Sequence, residues 1–177
     1  MLAAVAAQGV VAGCGRPKSR AAFEGRYRLL SHVRNPTGCS PGGLGDASDS
    51  GQTFRLVRSR FFGATVMKSK VCAAPQDEIC AIEGGLTEPF GFLSQVESGV
   101  WGADLVSEVA GEPASCSFVY TRVRIRWTEA GRIEVRAERR RGQAPVERCD
   151  VAEDTSLAEA GARLPCVGLE LWSAEKL

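Results

Sequence analysis

Histidine is nearly absent from this chain, since His32 is its only occurrence among 177 residues. Histidine is the side chain that most often moves protons or binds metal ions near neutral pH, so most acid–base and metal chemistry is disfavoured. His32 falls on the outward face of a predicted strand, which favours a surface residue over a general base. No Gly-x-Ser-x-Gly elbow occurs, and the segment 42–45 (GGLG) lacks the lysine of a phosphate loop. The sequence therefore predicts a protein that is not an enzyme and needs no cofactor.

An excess of charge of one sign is also lacking. The chain has 22 Lys and Arg against 21 Asp and Glu, a net charge of +1, which argues against nucleic acid as a partner. Two segments, 122–126 and 136–142, are nevertheless rich in arginine. Because glutamates interrupt them, we interpret them as a solvated strand face with cross-strand ion pairs. Contact with anionic envelope polymers is the functional alternative.

No pair of cysteines has the Cys-x-x-Cys spacing of zinc or redox sites, and we predict no metal site. Seven cysteines are an awkward number for an exported protein. If Cys14 is set apart, six remain, which could form three disulfides in an oxidising compartment. Among the fifteen possible connectivities, the positions around predicted strands and turns favour these pairs: Cys72–Cys80, Cys116–Cys149 and Cys39–Cys166.

A hydrophobic run long enough to span a bilayer as a helix (about 20 residues) is missing. Residues 1–13 are small and apolar, interrupted only by Gln8, and their length fits the core of a secretory signal. A helix or strand of the domain core is the alternative. Residues 14–22 have the composition of a tether, and patterned sequence begins at residue 23. We therefore predict a signal peptide over 1–13, a tether over 14–22 and one β-rich domain over 23–177.

The stretch Val11-Ala12-Gly13-Cys14 resembles the bacterial lipobox, in which an aliphatic and two small residues precede the cysteine that is lipidated. The resemblance implies a lipoprotein anchored to the membrane through acyl chains on Cys14. Gly15, where aspartate would favour the inner membrane, implies the outer membrane, facing the periplasm or the cell surface. The basic segment usual before a signal core is absent, which leaves a start codon further upstream or a weak, ordinary or uncleaved signal as alternatives.

The clearest structural pattern lies in residues 117–142, which predict a β-hairpin with a three-residue loop at 129–131. One register satisfies both faces of this hairpin. It pairs the apolar residues Trp127 with Ile133, Ile125 with Val135 and Val123 with Ala137. On the outer face it pairs Arg126 with Glu134 and Arg122 with Glu138, but it sets Arg124 opposite Arg136.

Further period-two patterns predict strands over the segments 23–33, 53–73 (two strands), 79–82, 100–111 and 166–172. In the first of these, Tyr27, Leu29 and Val33 share the inner face. One short helix is possible at 154–164. The count of about eight strands favours an all-β, antiparallel up-and-down barrel, with a β-sandwich as the alternative. The opening FEGRYRL (23–29) is similar to the first strand of lipocalin-like barrels, a resemblance that implies an enclosed ligand site.

Two functions follow, both non-catalytic and both for a monomer in the envelope. The first is a binding module that holds a small apolar ligand inside the barrel. Its candidate lining residues are inward-facing positions, which serve equally well as plain core: Tyr27, Leu29, Val123, Ile125 and Trp127. The alternative is a disulfide-braced inhibitor or protein-interaction module that presents loops, at 35–52 and 84–99, to an envelope partner.

Overall fold

Strands make up most of the computed structural model, which describes residues 23–47, 51–74, 76, 80, 82–83, 93–112, 115–128, 131–145 and 163–177. One short 3-10 helix, Pro41–Gly43, accompanies them. The strands are β1 (Gly25–Asn35), β2 (Gly45–Asp46), β3 (Thr53–Phe61), β4 (Ala64–Val71), β5 (Ile82–Glu83), β6 (Ser94–Glu97), β7 (Val100–Glu112), β8 (Ser115–Trp127), β9 (Arg132–Pro145) and β10 (Cys166–Lys176). Of the segment with a possible helix, 154–162 lies outside the described residues.

Eight of these strands form a nearly closed antiparallel barrel, and the short β2 and β5 are additions to it. Neighbours in the sheet are neighbours along the chain, apart from β10, which pairs back onto β1. Between β4 and β6 the sheet is closed by Met67 and Leu93, whose backbone N–H groups donate to each other's carbonyls at 2.8 and 2.9 Å. The predicted up-and-down barrel is confirmed, and the sandwich alternative is excluded.

The β8–β9 hairpin has the register that its two faces predicted. Trp127 pairs with Ile133, and Arg126 pairs with Glu134. Gly131 has a φ of 83°, the left-handed conformation that the short loop requires of its glycine. Because a shift by one residue would turn every apolar side chain of the hairpin outward, the register is strongly determined.

Large side chains fill the inside of the barrel. Trp101 and Trp172 lie in one buried cluster with residues of every long strand. Towards the first residue of the domain, Phe23 packs on Trp127 with ring centroids 5.5 Å apart. The Tyr27 hydroxyl donates a 2.8 Å hydrogen bond to the Phe23 carbonyl, so the buried phenol is satisfied.

The predicted faces of β1 hold only over its first half. A bulge between Leu29 and Ser31 shifts the pairing with β10, and the alternation of inner and outer positions changes there. His32 is therefore buried, with 5% of its surface exposed, and the prediction of a surface histidine is wrong. Val33, predicted to share the inner face of Tyr27 and Leu29, is half-buried.

The two ends of the barrel differ in chemistry. Because successive barrel strands run in opposite directions, the end of β1 and the starts of β8 and β10 meet at one end. That end, which we call the disulfide end, carries the bonds Cys39–Cys166 and Cys72–Cys80. The opposite end, which we call the terminal end, carries Phe23, Leu177 and the hairpin tips β3–β4, β6–β7 and β8–β9.

Candidate functional site

An open groove of about 300 Å³ lies on the outer surface of the barrel, across β6 to β9. We call it the arginine groove. It collects side chains from four strands that are adjacent in the sheet. Its lining residues are Glu97, Val100, Arg122, Arg124, Arg126, Arg136 and Glu138.

Arg124 defines one wall of the groove by lying across the neighbouring strand. Its Nη1 and Nη2 donate to the two carboxylate oxygens of Asp104 at 2.8 and 3.1 Å. Gly102 on β7 pairs with Arg124 in the register of β7 and β8, and the Arg124 side chain crosses Gly102 to reach Asp104. A Cβ there would stand 2.8 Å from Arg124 Nη1 and 2.5 Å from the Val123 carbonyl oxygen. The absence of a side chain at Gly102 therefore makes this arginine placement possible.

The opposite wall is built on β9, where Glu138 binds two arginines. Arg136 Nε donates to Glu138 Oε1 at 2.8 Å, and Arg140 Nη2 donates to Oε2 at 3.0 Å. Arg124 and Arg136 are directly opposed in the β8–β9 register, a like-charge pair that is normally unfavourable. The structure relieves it because each arginine turns to a different carboxylate, Arg124 to Asp104 and Arg136 to Glu138.

Both carboxylates stay ionised in the fold. Burial alone would raise the pKa of Asp104, but the hydrogen bonds and charges of Arg124 and Arg122 outweigh it, so the pKa is lowered. Burial likewise opposes ionisation of Glu138, and hydrogen bonds from Arg136 and Arg140 lower its pKa overall. The groove is thus a lattice of fixed charges of both signs rather than a proton-transfer site.

Positive charge is in surplus in this lattice. Asp104 is shared by Arg122 and Arg124, Glu138 is shared by Arg136 and Arg140, and only Arg126 has a separate carboxylate in Glu134. Arginine is protonated at any physiological pH, so these arginines can bind anions but do not act as general acids or bases. The sequence pattern predicted a solvated face for these arginines, but not the pairing with β7 that makes the face concave.

A second polar cluster is buried near the disulfide end. His32 stacks on Trp172 with ring centroids 4.7 Å apart, and its Nε2 lies 3.3 Å from Glu170 Oε2. Arg139 forms an ion pair with the other carboxylate oxygen of Glu170. Glu170 is therefore held from two sides although its side chain is only 8% exposed. This arrangement compensates a buried charge, as a structural ion-pair cluster does.

The residues predicted to line an internal ligand site do come together, but as packed core. Tyr27, Val123 and Ile125 are 0% exposed and Leu29 is 1% exposed. Trp127, the fifth, is partly buried and packs against the same cluster. A side chain that lines a void of ligand size presents surface to that void, so the first four line no such space.

The described cysteines lie at the disulfide end of the barrel. The bonds Cys39–Cys166 and Cys72–Cys80 are two of the pairs favoured from the sequence, and the first joins the segment after β1 to the start of β10. Cys116 is also disulfide-bonded. Its predicted partner Cys149 and the predicted lipidation site Cys14 lie outside the described residues.

No family model, curated protein or solved structure matches the chain. Within the described ranges, no three His, Cys, Asp or Glu side chains come together as metal ligands. A helix long and apolar enough to cross a membrane is likewise not found in this part of the chain.

Proposed function

We propose that the protein is a non-catalytic binding module that takes an anionic partner on the outside of its barrel, in the arginine groove. The observation that carries the proposal is the convergence of four arginines from two neighbouring strands on one concave surface. Planar guanidinium groups bind carboxylates and phosphates through paired N–H donors. This function shares the protein partner of the interaction module predicted from the sequence, but it uses a strand face of the barrel instead of the loops 35–52 and 84–99.

The packed interior supports an external site over an internal one. For a small apolar ligand to enter the barrel, side chains such as Tyr27 and Ile125 would have to leave a cluster in which they are fully buried. Removing large side chains from a packed core costs several kcal/mol per residue, roughly 2–5. The arginine groove is open without any such rearrangement, so we favour it over the lumen.

The chemistry of the groove points to a carboxylate-bearing protein segment as its partner. Glu97 and Glu138 also line the groove, so a polymer of uniform negative charge meets repulsion at two positions. A folded partner can place its own carboxylates opposite the arginines and its donors opposite the glutamates. Because the groove is exposed, the binding is expected to weaken with salt.

We further propose that the module is a lipoprotein, held at the outer membrane by acyl chains on Cys14. The lipobox resemblance and the six cysteines left after Cys14 is set apart support this assignment. In mass spectrometry of the N-terminal peptide, the wild type is expected to carry the acyl mass and Cys14→Ser to lack it. A wild-type N-terminal peptide without acyl mass would contradict the assignment.

The groove is tested by charge-neutral substitutions at its centre. Arg124→Gln with Arg136→Gln removes two charges from the groove. Arg34→Gln with Arg55→Gln removes the same net charge from exposed positions on β1 and β3 and serves as the matched control. The probe is an acidic peptide with spaced glutamates, labelled for fluorescence anisotropy at low and at physiological salt.

The groove variant is expected to weaken peptide binding about tenfold, since it removes two partly exposed ion-pair contacts that are worth up to about 1 kcal/mol each. The control variant is expected to stay within about threefold, the range of a general change in net charge. Equal losses in the two variants would show nonspecific electrostatics and contradict the assignment of the groove. Native mass spectrometry that finds an apolar ligand in the purified protein would instead favour the lumen.

A further inference from the structure

Exposed apolar side chains of the described residues are concentrated at one end of the barrel. Four of the five large ones lie at the terminal end, and the fifth, Leu105, lies midway along β7. Isolated exposed apolar residues are ordinary, but their segregation to one end marks a contact surface. The four and their exposed fractions are Phe61 (44%), Phe62 (95%), Val96 (46%) and Leu177 (52%).

The centre of this surface is the tip of the β3–β4 hairpin, formed by Phe61 and Phe62, which we call the phenylalanine tip. The loop has two residues, Phe62 and Gly63, with φ values of 45° and 82°. Such a turn favours asparagine or aspartate followed by glycine, because bulky side chains are strained at positive φ. The rings of Phe62 and Phe61 meet edge-on with their centroids 4.6 Å apart, yet the Phe62 side chain is 95% exposed. Asparagine or aspartate in place of Phe62 would therefore stabilise the turn better.

We propose that the phenylalanine tip inserts into the interfacial region of a lipid bilayer and orients the barrel with its terminal end towards the membrane. Phenylalanine is among the apolar side chains that bury at the boundary between lipid headgroups and acyl chains. Arg60 precedes the pair and is exposed, so its stem can lie along the apolar layer while its guanidinium reaches the phosphates. Val96 and Leu177 extend the same apolar rim.

The position of the N-terminal segment argues for a membrane as the occupant. Phe23, to which residues 1–22 are joined, lies at the terminal end with the phenylalanine tip. The nine residues 14–22 can reach at most about 30 Å when fully extended. An anchor at Cys14 would therefore keep this end near the bilayer. The inference goes beyond the proposed groove function and does not require acylation, since the phenylalanines partition by themselves.

Charge contributes little to this contact. Arg58 at the hairpin is paired with Glu24, and Glu97 adds a negative charge at the neighbouring tip. Apolar insertion therefore dominates, and binding is expected on neutral as well as anionic bilayers. This separates the phenylalanine tip from a polybasic surface, which would bind only anionic lipid.

The test uses the full chain with Cys14→Ser, so that no acyl chain contributes. Its partition onto phosphatidylcholine vesicles, with and without phosphatidylglycerol, is measured by co-sedimentation. Phe61→Thr with Phe62→Asn removes the phenylalanine tip, and Leu105→Thr is the matched control at an exposed apolar position away from it. Residues 1–13 are identical in all three proteins, so differences among them report the substituted positions. Loss of the groove function would not change this result, and acylation is read separately from the mass of the wild-type N-terminus.

We expect the tip variant to reduce the partition coefficient about tenfold and the Leu105 control less than twofold. The tip variant is expected to unfold at the same or a higher urea concentration than the parent, because Asn-Gly suits the turn and threonine suits a strand, and this result excludes misfolding as the cause. Equal partition of parent and tip variant, or no partition of the parent, would overturn the inference. A dimer of the parent that the tip variant abolishes, with vesicle binding unchanged, would assign the tip to a second copy and also overturn it.

Discussion

The most direct test of the arginine groove is the substitution Gly102→Ala, which adds one methyl group to β7. The new Cβ would stand 2.5 Å from the Val123 carbonyl oxygen, 2.8 Å from Arg124 Nη1 and 2.9 Å from Arg124 Cδ. All three distances are shorter than van der Waals contact. The carbonyl belongs to the backbone of β8 and cannot rotate away, so either the two strands separate locally or β7 twists.

The expected loss of stability follows from these contacts. Overpacking of this kind costs about 1–3 kcal/mol. Displacement of Arg124 from Asp104 adds up to about 1 kcal/mol, because both side chains are partly exposed, at 26% and 33%. Alanine gains back about 0.5–1 kcal/mol over glycine in a strand. We therefore expect Gly102→Ala to lower the free energy of unfolding by about 1–3 kcal/mol.

The measurement is urea denaturation followed by tryptophan fluorescence with the disulfides intact. Gly45→Ala is the control, since a Cβ at Gly45 meets nothing within 4 Å. It should change the free energy of unfolding by no more than about 0.5 kcal/mol. In an Arg124→Ala background, two of the three close contacts are gone, so Gly102→Ala should cost less there. A Gly102→Ala protein as stable as the wild type would refute the close packing of Arg124 over β7.

Three further predictions concern the fold. Replacing Cys39 and Cys166 together by serine should lower the free energy of unfolding by about 3–5 kcal/mol in urea titrations, because the bond spans 127 residues; a loss below about 1 kcal/mol would contradict its role. The folded-state pKa values of Asp104 and Glu138 are lowered from 3.8 and 4.5, so their stabilisation is present above those values and lost on acidification. The urea concentration at the unfolding midpoint should therefore decrease as the pH is lowered below about 4. The decrease should be smaller in a protein with Asp104→Asn and Glu138→Gln, and an equal decrease would contradict this. Burial raises the pKa of Tyr27 above 10.0, so its neutral phenol stabilises the fold below that pH and the contribution is lost as pH rises further. Tyr27→Phe should cost about 1 kcal/mol at neutral pH but flatten the alkaline dependence of the urea midpoint; an unchanged alkaline slope would contradict this.

The barrel and its strongest hairpin were predictable because two independent constraints agreed. In β8–β9, apolar pairing on the inner face and opposite charges on the outer face select the same register, as in Ile125–Val135 and Arg122–Glu138. The return of β10 to β1 followed from the need to remove sheet edges. Patterns of this kind act over a few residues and are visible in the sequence.

The features that position polar clusters were not predictable in the same way. The bulge between Leu29 and Ser31 changes the alternation of inner and outer side chains along β1, and no local residue preference predicts it. His32 therefore changes from a predicted surface position to a buried partner of Glu170. The arginine groove depends on the register of β7 with β8, where Gly102 faces Arg124. A glycine within a predicted strand was the available signal, since it marks a close approach of another group.

The two proposed contact surfaces depart from local preference in opposite directions. At Gly102 a strand position that favours a branched side chain has none, and the vacated space holds Arg124 against Asp104. At Phe62 a turn position that favours a small polar residue has a large apolar one, and its ring is left in solvent. Sequences that fold well are locally consistent, and departures without compensation inside the fold concentrate at functional sites. Gly102 has such compensation in the ion pair that it permits, so its role can be structural alone. Phe62 is strained and almost fully exposed, which makes the phenylalanine tip the stronger indication of a contact outside the chain.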